Sequence, residues 1–328
     1  MPLPAPLPPG LGDVFARADA VAAGVTARRL RARDLQAPFR GSRERMPPAP
    51  DREAAASEVE PATLDVVFRE QVLRCARAYV PVMAPHAFFA ARTAAVIHGL
   101  PLEPGEDLDV AVVAPHRAPR RRGIRGTKVD AALVAVREHA GLRVTSPAST
   151  WAMLGAELGV RELVRLGDAI VRVPRDAGGA PLPQERLGSL AQLTAAAAAG
   201  RRRGAASLRE ALTLIRVGSS SPLETDFRLD AAAAGLPEPE LDVEIRDRRG
   251  RLLGISEFAY PQFCTVVEVE GDHHRTNRRQ WNRDIEKYAA YVAEGWEVVR
   301  LTSLHIRGRH PRAVDIVAGV LRRHGWRG

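Results

Sequence analysis

Apolar and polar positions alternate most regularly in the last third of the chain. Ser221-Pro222-Leu223-Glu224 has the residue types of a capping box and predicts a helix from there to about Ala234, where Gly235 ends it. Runs rich in β-branched residues predict four strands, at 241–246, 252–258, 263–269 and 296–301. An apolar stripe with helical spacing predicts a helix at 276–294, and a last helix follows at 311–323. The predicted order is therefore helix, three strands, helix, strand, helix.

The first forty or so residues give a weaker pattern. Residues 18–23 have helical composition, Gly24 suits a turn, and Thr26 suits the N-cap of a second helix through Leu35. Two interpretations fit this spacing equally: a helix-turn-helix whose second helix faces DNA, or a small helical hairpin with a solvated basic face. The basic residues of the second helix are Arg28, Arg29, Arg31 and Arg33.

The middle of the chain predicts helices at 63–80 and 92–98, a strand at 108–113, and a helix with Pro147 in its first turn. Stretches rich in Pro, Gly and Ala separate it from its neighbours. We therefore expect a mixed α/β protein of five segments: a helix-turn-helix-like part at 1–41, a linker at 42–61, a middle domain at 62–173, a linker with a basic helix at 174–204, and a C-terminal domain at 205–328.

The charge balance of the chain indicates the kind of partner that it binds. Of 328 residues, 48 are Lys or Arg and 39 are Asp or Glu, which gives a net charge of +9. All but two of the cations are arginines, and codon bias accounts for that choice but not for the excess of cations. A basic excess favours a polyanionic partner, with nucleic acid first.

Other compositional features bound the class of protein. No apolar run approaches the roughly 18 residues of a membrane span, so we expect no membrane partner. Two cysteines, Cys75 and Cys264, are too few for a disulfide framework, and we expect a reducing cytoplasm. No pattern indicates an oligomeric state.

Three carboxylates fall together at one end of the predicted C-terminal sheet. Glu268 and Glu270 are two residues apart on the third strand, so they project from the same face. Glu257, near the end of the preceding strand, lies beside Glu268 if these strands pair. Clustered carboxylates repel one another, and a divalent cation removes that penalty. Because Mg²⁺ prefers hard oxygen ligands, the pattern predicts Mg²⁺ or Mn²⁺ at these three residues.

Each neighbouring candidate also has a plainer interpretation. Glu224 either supports the site or only caps its helix, and Glu268 with Glu270 either form the site or an exposed polar strand face. Lys287 and Asp284 are either catalytic support or a surface charge set, and His274 is either a proton-transfer group or incidental. Candidate nucleic-acid contacts on the following loop and helix are Arg275, Arg278 and Arg279. The basic loop 117–125 either contacts phosphates or is merely solvated.

The C-terminal stretches resemble a known family. Glu268-Val-Glu-Gly-Asp-His-His274, Arg283-Asp284 with Lys287, and Gly295-Trp-Glu-Val-Val-Arg300 are similar to very-short-patch-repair-endonuclease-like domains of the PD-(D/E)XK nuclease superfamily. The entry stretches Ser221–Thr225 and Gly235–Pro239 also match. The resemblance implies a restriction-endonuclease-like αβββαβ domain that hydrolyses phosphodiesters with Mg²⁺.

The same resemblance assigns roles. Glu257 and Glu268 take the places of the two metal-binding acids, and Glu270 takes the place of an Asp that completes the set. The lysine of the parent motif is missing from its expected position. Lys287 or His274 is therefore expected to supply a positive charge or a proton-transfer group.

The first half of the chain resembles the antitoxin of type IV abortive-infection systems. The matching residues are Gly24-Val-Thr26, Phe39-Arg-Gly41, Arg92–Ala95 with His98-Gly-Leu100, and Ser146-Pro147 with Thr150-Trp151. The resemblance implies DNA binding and a cognate toxin as partner. Two functions stay open: a Mg²⁺-dependent endonuclease, or a non-catalytic DNA-binding regulator with a degenerate nuclease fold.

Overall fold

The computed structural model describes residues 4–46, 64–270 and 278–328, with the side chains of 64–65 and 278–283 left out. The chain divides into two compact units, Met1–Met153 and Leu154–Gly328. Both units combine helices with sheets, so the expectation of a mixed α/β protein is confirmed. In the described ranges, no helix has the length and apolar character needed to cross a bilayer.

A small three-stranded sheet opens the first unit. It contains β1 (Val14–Ala16), β2 (Leu35–Gln36) and β3 (Ser42–Arg45) in the order β1-β3-β2, and α1 (Arg17–Ala22) follows β1. Phe15, Ala20, Leu30 and Leu35 form its buried core.

The predicted second helix through Leu35 is wrong. Thr26 Oγ1 accepts a hydrogen bond from the backbone N–H of Arg29 at 3.2 Å, as an N-cap does, but only a single 3-10 turn, Arg29–Arg31, follows. Leu30 and Leu35 are both buried, and their spacing of five residues does not fit one helical face. The chain therefore leaves the turn and enters β2.

The linker after Gly41 begins later than predicted. Residues 42–45 form β3, which pairs with both β1 and β2. Ser42 is buried, and its hydroxyl donates to the carbonyl of Ala78 at 2.7 Å. The strand is mostly polar, so its sequence carries no strand pattern, and pairing on both sides determines its structure.

The rest of the first unit is a five-stranded sheet with helices. Its helices are α2 (Leu64–Tyr79), α3 (Ala91–Ile97) and α4 (Pro147–Leu154), and the first two confirm the predicted helices. Its strands are β4 (Phe88–Phe89), β5 (Leu108–Val113), β6 (Ile124–Val129), β7 (Val136–His139) and β8 (Leu142–Thr145). The strand order β6-β5-β4-β8-β7 leaves β6 and β7 at the two edges.

The second unit has four strands and seven helices among its described residues. The strands are β9 (Glu240–Arg246), β10 (Leu252–Tyr260), β11 (Thr265–Glu270) and β12 (Glu297–Thr302), in the order β12-β11-β10-β9. The helices are α5 (Val160–Val171), α6 (Leu190–Ala198), α7 (Ala205–Leu214), α8 (Pro222–Ala233), α9 (Arg278–Ala293), α10 (Ser303–Arg307) and α11 (Ala313–Arg323). Strands β11 and β12 run parallel, and the other neighbours are antiparallel.

The predicted order of helices and strands from α8 to β12 is confirmed. Two hydrophobic cores, one on each face of the sheet, hold these elements together. Alternate residues of the strands face opposite sides of the sheet. Val267 packs with Phe227 of α8 and Val317 of α11, whereas Val266 packs with Tyr291 of α9. The sheet is therefore covered by helices on both faces, which suits its almost continuous apolar strands.

Helix α5 belongs to the second unit, although the sequence placed it in the middle segment. The buried Asp168 carboxylate accepts from Arg228 Nη2 at 2.7 Å, from Thr225 Oγ1 at 2.8 Å and from the Arg216 N–H at 2.8 Å. A buried charge of this kind needs its partners, so α5 and α8 are held together.

The predicted basic helix also needs correction. The arginine run 201–203 lies in the turn between α6 and α7 and not on a helix. Gly200 and Gly204 flank it with positive φ angles of 70° and 75°, and this left-handed conformation ends α6 and precedes α7.

Candidate active site

Strand pairing brings two of the predicted carboxylates together. Strands β10 and β11 are antiparallel, with Phe258 opposite Val267. Glu257 and Glu268 are the next residues of the two strands, just beyond this last pair. There the Glu257 carboxylate accepts a hydrogen bond from the backbone N–H of Val269. At this point a side-chain carboxylate, and not a backbone carbonyl, accepts the hydrogen bond from β11, so Glu257 is held by the neighbouring strand.

Glu268 forms the best-defined contact of the site. It is only 5% exposed, and its Oε2 accepts a hydrogen bond from Lys287 Nζ of α9 at 2.7 Å. The same ammonium group donates to the carbonyl of Ile255 at 3.2 Å and lies 5.0 Å from the ring centroid of Tyr288. The second oxygen, Glu268 Oε1, is buried and has no hydrogen-bond partner within distance among the described residues; the Ser256 hydroxyl, which donates to the Phe258 carbonyl at 3.0 Å, lies close enough to lower the pKa of Glu268.

Burial dominates the electrostatics of both strand carboxylates. Burial raises the pKa of Glu257 to about 9, and the negative charges of Glu224 and Glu268 add to the shift. The pKa of Glu268 is also raised by burial, although Lys287 opposes the shift. One lysine does not compensate several buried carboxylates, so the site attracts additional positive charge.

Glu224 joins this group from the N-terminus of α8. The predicted N-cap is confirmed, because Ser221 Oγ accepts from the Glu224 N–H at 3.2 Å. The Glu224 carboxylate accepts from the N–H of Ser220 at 2.7 Å, so its hydrogen bond goes to the residue before the cap. Glu224 is 3% exposed, and burial raises its pKa to about 7. Its charge also raises the pKa of Glu257, and a supporting role for Glu224 in the site stays a prediction.

Asp242 and Arg175 also lie near this site, and no pattern in the sequence predicts either of them there. Asp242 of β9 has a φ of 54°, which is unusual for a residue other than glycine, and its charge helps to raise the pKa of Glu224. Arg175 Nε lies 3.0 and 2.9 Å from the two carboxylate oxygens of Asp242. The sequence pattern predicts a linker at Arg175 and an ordinary strand at Asp242, and only the fold brings the two residues together.

The other predicted residues make different contacts or lie outside the described residues. Glu270 forms an ion pair with Arg300, and its side chain is 25% exposed. Asp284 contributes a negative charge that raises the pKa of Glu268. His274 and Arg275 lie outside the described residues, as do the side chains of Arg278 and Arg279.

The arginines predicted to face DNA in the first unit differ in availability. Arg29 is bound at both terminal nitrogens by the Asp34 carboxylate, at 2.9 and 2.6 Å, and its side chain is only 12% exposed. This arginine stabilises the turn and is not available to a phosphate. Arg28, Arg31 and Arg33 are exposed.

The donor set suits a hard cation through two carboxylates. Among the described residues, no group of three or more His, Cys, Asp or Glu side chains is arranged to hold a metal ion. Mg²⁺ does not require such a cage, because it is commonly held by one or two carboxylates with water and substrate phosphate. Glu268 Oε1 has no hydrogen-bond partner among the described residues, and the charges of Glu224 and Glu268 add to the effect of burial on the pKa of Glu257, so added positive charge would stabilise both carboxylates. Glu257 and Glu268 therefore fit the group, and Glu270 as a third ligand stays a prediction.

Comparison with known proteins adds little to this geometry. No protein-family model matches the chain. Uncharacterized proteins of Mycobacterium tuberculosis, from strain CDC 1551 / Oshkosh and strain ATCC 25618 / H37Rv, are each 27% identical to it over 117 residues. The match covers 36% of this chain and 43% of each relative, so the chain spans less than half the length of these curated relatives.

Proposed function

We propose that the chain is a divalent-cation-dependent phosphodiester hydrolase that acts on DNA through a restriction-endonuclease-like domain in its second unit. One observation carries this proposal. Two carboxylates on adjacent strands, the half-buried Glu257 and the buried Glu268, lie beside the only lysine in the sequence of that unit, and one Glu268 oxygen has no hydrogen-bond partner among the described residues. The αβββαβ order from α8 to β12 and the net charge of +9 support the same conclusion.

The chain's own residues divide the work in this proposal. Glu257 and Glu268 hold the cation, and a bound Mg²⁺ or Mn²⁺ lowers the pKa of a water molecule and stabilises charge developing on the phosphate. Lys287 keeps a positive charge beside Glu268, where it orients that carboxylate and attracts a phosphate. Glu224 adds negative charge behind Glu257 and so strengthens the attraction for a cation.

The direct experiment is nicking of supercoiled plasmid by the full chain. We expect cleavage with Mg²⁺ or Mn²⁺ and none with chelator. Glu257→Gln and Glu268→Gln each remove one charge while keeping the shape, and both should abolish cleavage. Glu240→Gln is the matched control, because Glu240 is exposed on the neighbouring strand β9 and should leave cleavage unchanged.

The regulator alternative is the other outcome of this experiment. A well-folded protein that binds DNA but never nicks it with either cation would contradict the hydrolase proposal. It would favour a non-catalytic DNA-binding regulator, in which the exposed Arg28 and Arg31 of the first unit contact DNA.

A further inference from the structure

Exposed cations line one edge of the five-stranded sheet in the first unit. Strand β6 is an edge strand, and the loop before it carries most of the charge. From Val110 to Val129 the sequence has six cations and no Asp or Glu. Five of the six are exposed, and we call them the basic edge: Arg117, Arg120, Arg122, Arg125 and Lys128.

The loop is fixed against the strand and is not simply a solvated run of charge. Pro119 lies so close to Gly126 of β6 that a Cβ at position 126 would collide with the proline carbonyl. Arg121 Nη1 donates to the carbonyl of Arg40 at 2.9 Å, and its guanidinium lies 5.7 Å from the ring centroid of Tyr79. These contacts bring the cations of the loop and those of the strand into one surface.

Among the described residues, few ion pairs neutralise this surface. Arg125 forms an ion pair with Asp109, whose side chain is only 5% exposed. In the part of the chain that the structure describes, four members of the basic edge make no ion pair: Arg117, Arg120, Arg122 and Lys128. Neighbouring like charges without counter-ions repel one another, so this surface gains most from a polyanion.

We propose that the basic edge binds the sugar–phosphate backbone of duplex DNA, independently of base sequence. The inference rests on the proposed action on DNA and adds a contact surface outside the carboxylate site. Guanidinium groups match phosphate oxygens with two parallel hydrogen bonds, and four of the five cations are arginines. Backbone contacts of this kind position a protein on DNA, whereas sequence is read elsewhere.

The test compares two triple variants of the full chain, with chelator present so that cleavage plays no part. The first is Arg117→Gln, Arg120→Gln, Arg122→Gln. The matched control changes Arg74, Arg77 and Arg137 to Gln, which removes the same charge from exposed positions on α2 and the opposite edge strand β7. Binding to a labelled 20-base-pair duplex is measured by anisotropy at several salt concentrations, and thermal melting verifies that both variants fold.

We expect the first variant to bind the duplex at least about tenfold more weakly than wild type at moderate salt. The plot of log affinity against log salt concentration should also become shallower, its slope falling in magnitude by roughly two to three. The control should keep both close to wild type. Equal losses in the two variants would overturn the proposal, because net charge alone would explain them. An unchanged affinity in the first variant would also overturn the proposal. The cations would then serve only to protect an edge strand from aggregation. Displacement of the duplex by poly-glutamate as readily as by unlabelled DNA would overturn it in favour of an acidic protein partner.

Discussion

A methyl group added at Gly254 should disconnect Lys287 from Glu268. Gly254 lies in β10, next to an irregularity in the pairing of β10 with β9. A Cβ at this position would lie 2.8 Å from both Cγ and Cδ of Lys287 and 2.7 Å from Tyr291 Oη. The absence of a side chain at Gly254 therefore lets the lysine stem lie across the strand.

The distances determine the size of the effect. Carbon atoms in contact normally lie about 3.5–4.0 Å apart, so the lysine stem must move by roughly 1 Å. Such a shift takes the 2.7 Å contact between Lys287 Nζ and Glu268 Oε2 beyond hydrogen-bond range. Overpacking of this kind costs about 1–3 kcal/mol of stability. Misplacement of a site group by about 1 Å costs about 100-fold in rate, which sets the expected loss of cleavage for Gly254→Ala.

The assay uses the scarcity of lysine in this chain. Lys128 and Lys287 are the only lysines, so carbon-13 labelling at Cε gives two NMR signals. Ring currents from Tyr288 and Tyr291, 5.0 and 5.6 Å from Nζ, separate the Lys287 signal from that of the exposed Lys128. In Gly254→Ala the Lys287 signal should move toward the position of a solvated lysine.

Gly319→Ala is the matched control, because a Cβ at Gly319 of α11 would meet no atom within 4 Å. This variant should keep the wild-type spectrum and cleavage rate. A Lys287 signal that stays in place in Gly254→Ala, with cleavage unchanged, would refute the reasoning. Loss of cleavage with an unmoved signal would show that the lysine contact is not the cause.

Three further outcomes follow from the same contacts. The pKa of Glu257 is raised to about 9 from about 4.5, so the folded protein holds a proton that the unfolded chain releases; its stability in chelator should fall as pH rises from 5 to 9, and calorimetric melts with no such decline would contradict this. Millimolar Mn²⁺ should stabilise the wild type and so raise its Tm; at a Mn²⁺ concentration of 100 times Kd the gain in unfolding free energy is about 2.7 kcal/mol. Glu268→Gln should lose most of that gain, and an equal gain in both proteins would place the ligands elsewhere. The fragment 154–328 should melt cooperatively, whereas 205–328 lacks Asp168 and should melt lower; equal melting would show that the buried ion pair of Asp168 contributes little.

Strand alternation predicts that Glu257 and Glu268 lie close together, because their strands are neighbours joined by a short connection. Glu257 and Glu268 are separated by a strand end and a tight turn, so local pattern alone places them side by side. The contact of Lys287 with Glu268 depends on how α9 packs over β10 at Gly254, which no periodicity encodes. Arg175 is harder still, because a loop far from the sheet in sequence brings it to the site.

The N-terminal prediction failed for a related reason. Composition favours a helix after Thr26, and the cap forms as expected. Burial of both Leu30 and Leu35 in a very small core, together with the pairing of β2 and β3, replaces the rest of that helix with a turn and a strand. Tertiary contacts thus override local propensity where the element is short.

The most direct test of the central claim is a crystal of the full chain soaked in Mn²⁺, measured at a wavelength where manganese scatters anomalously. The account predicts an anomalous peak bonded to carboxylate oxygens of both Glu257 and Glu268, and its loss in Glu268→Gln. A peak at other residues, or none at these two carboxylates in a well-ordered wild-type crystal, would contradict the claim that they form a divalent-cation site.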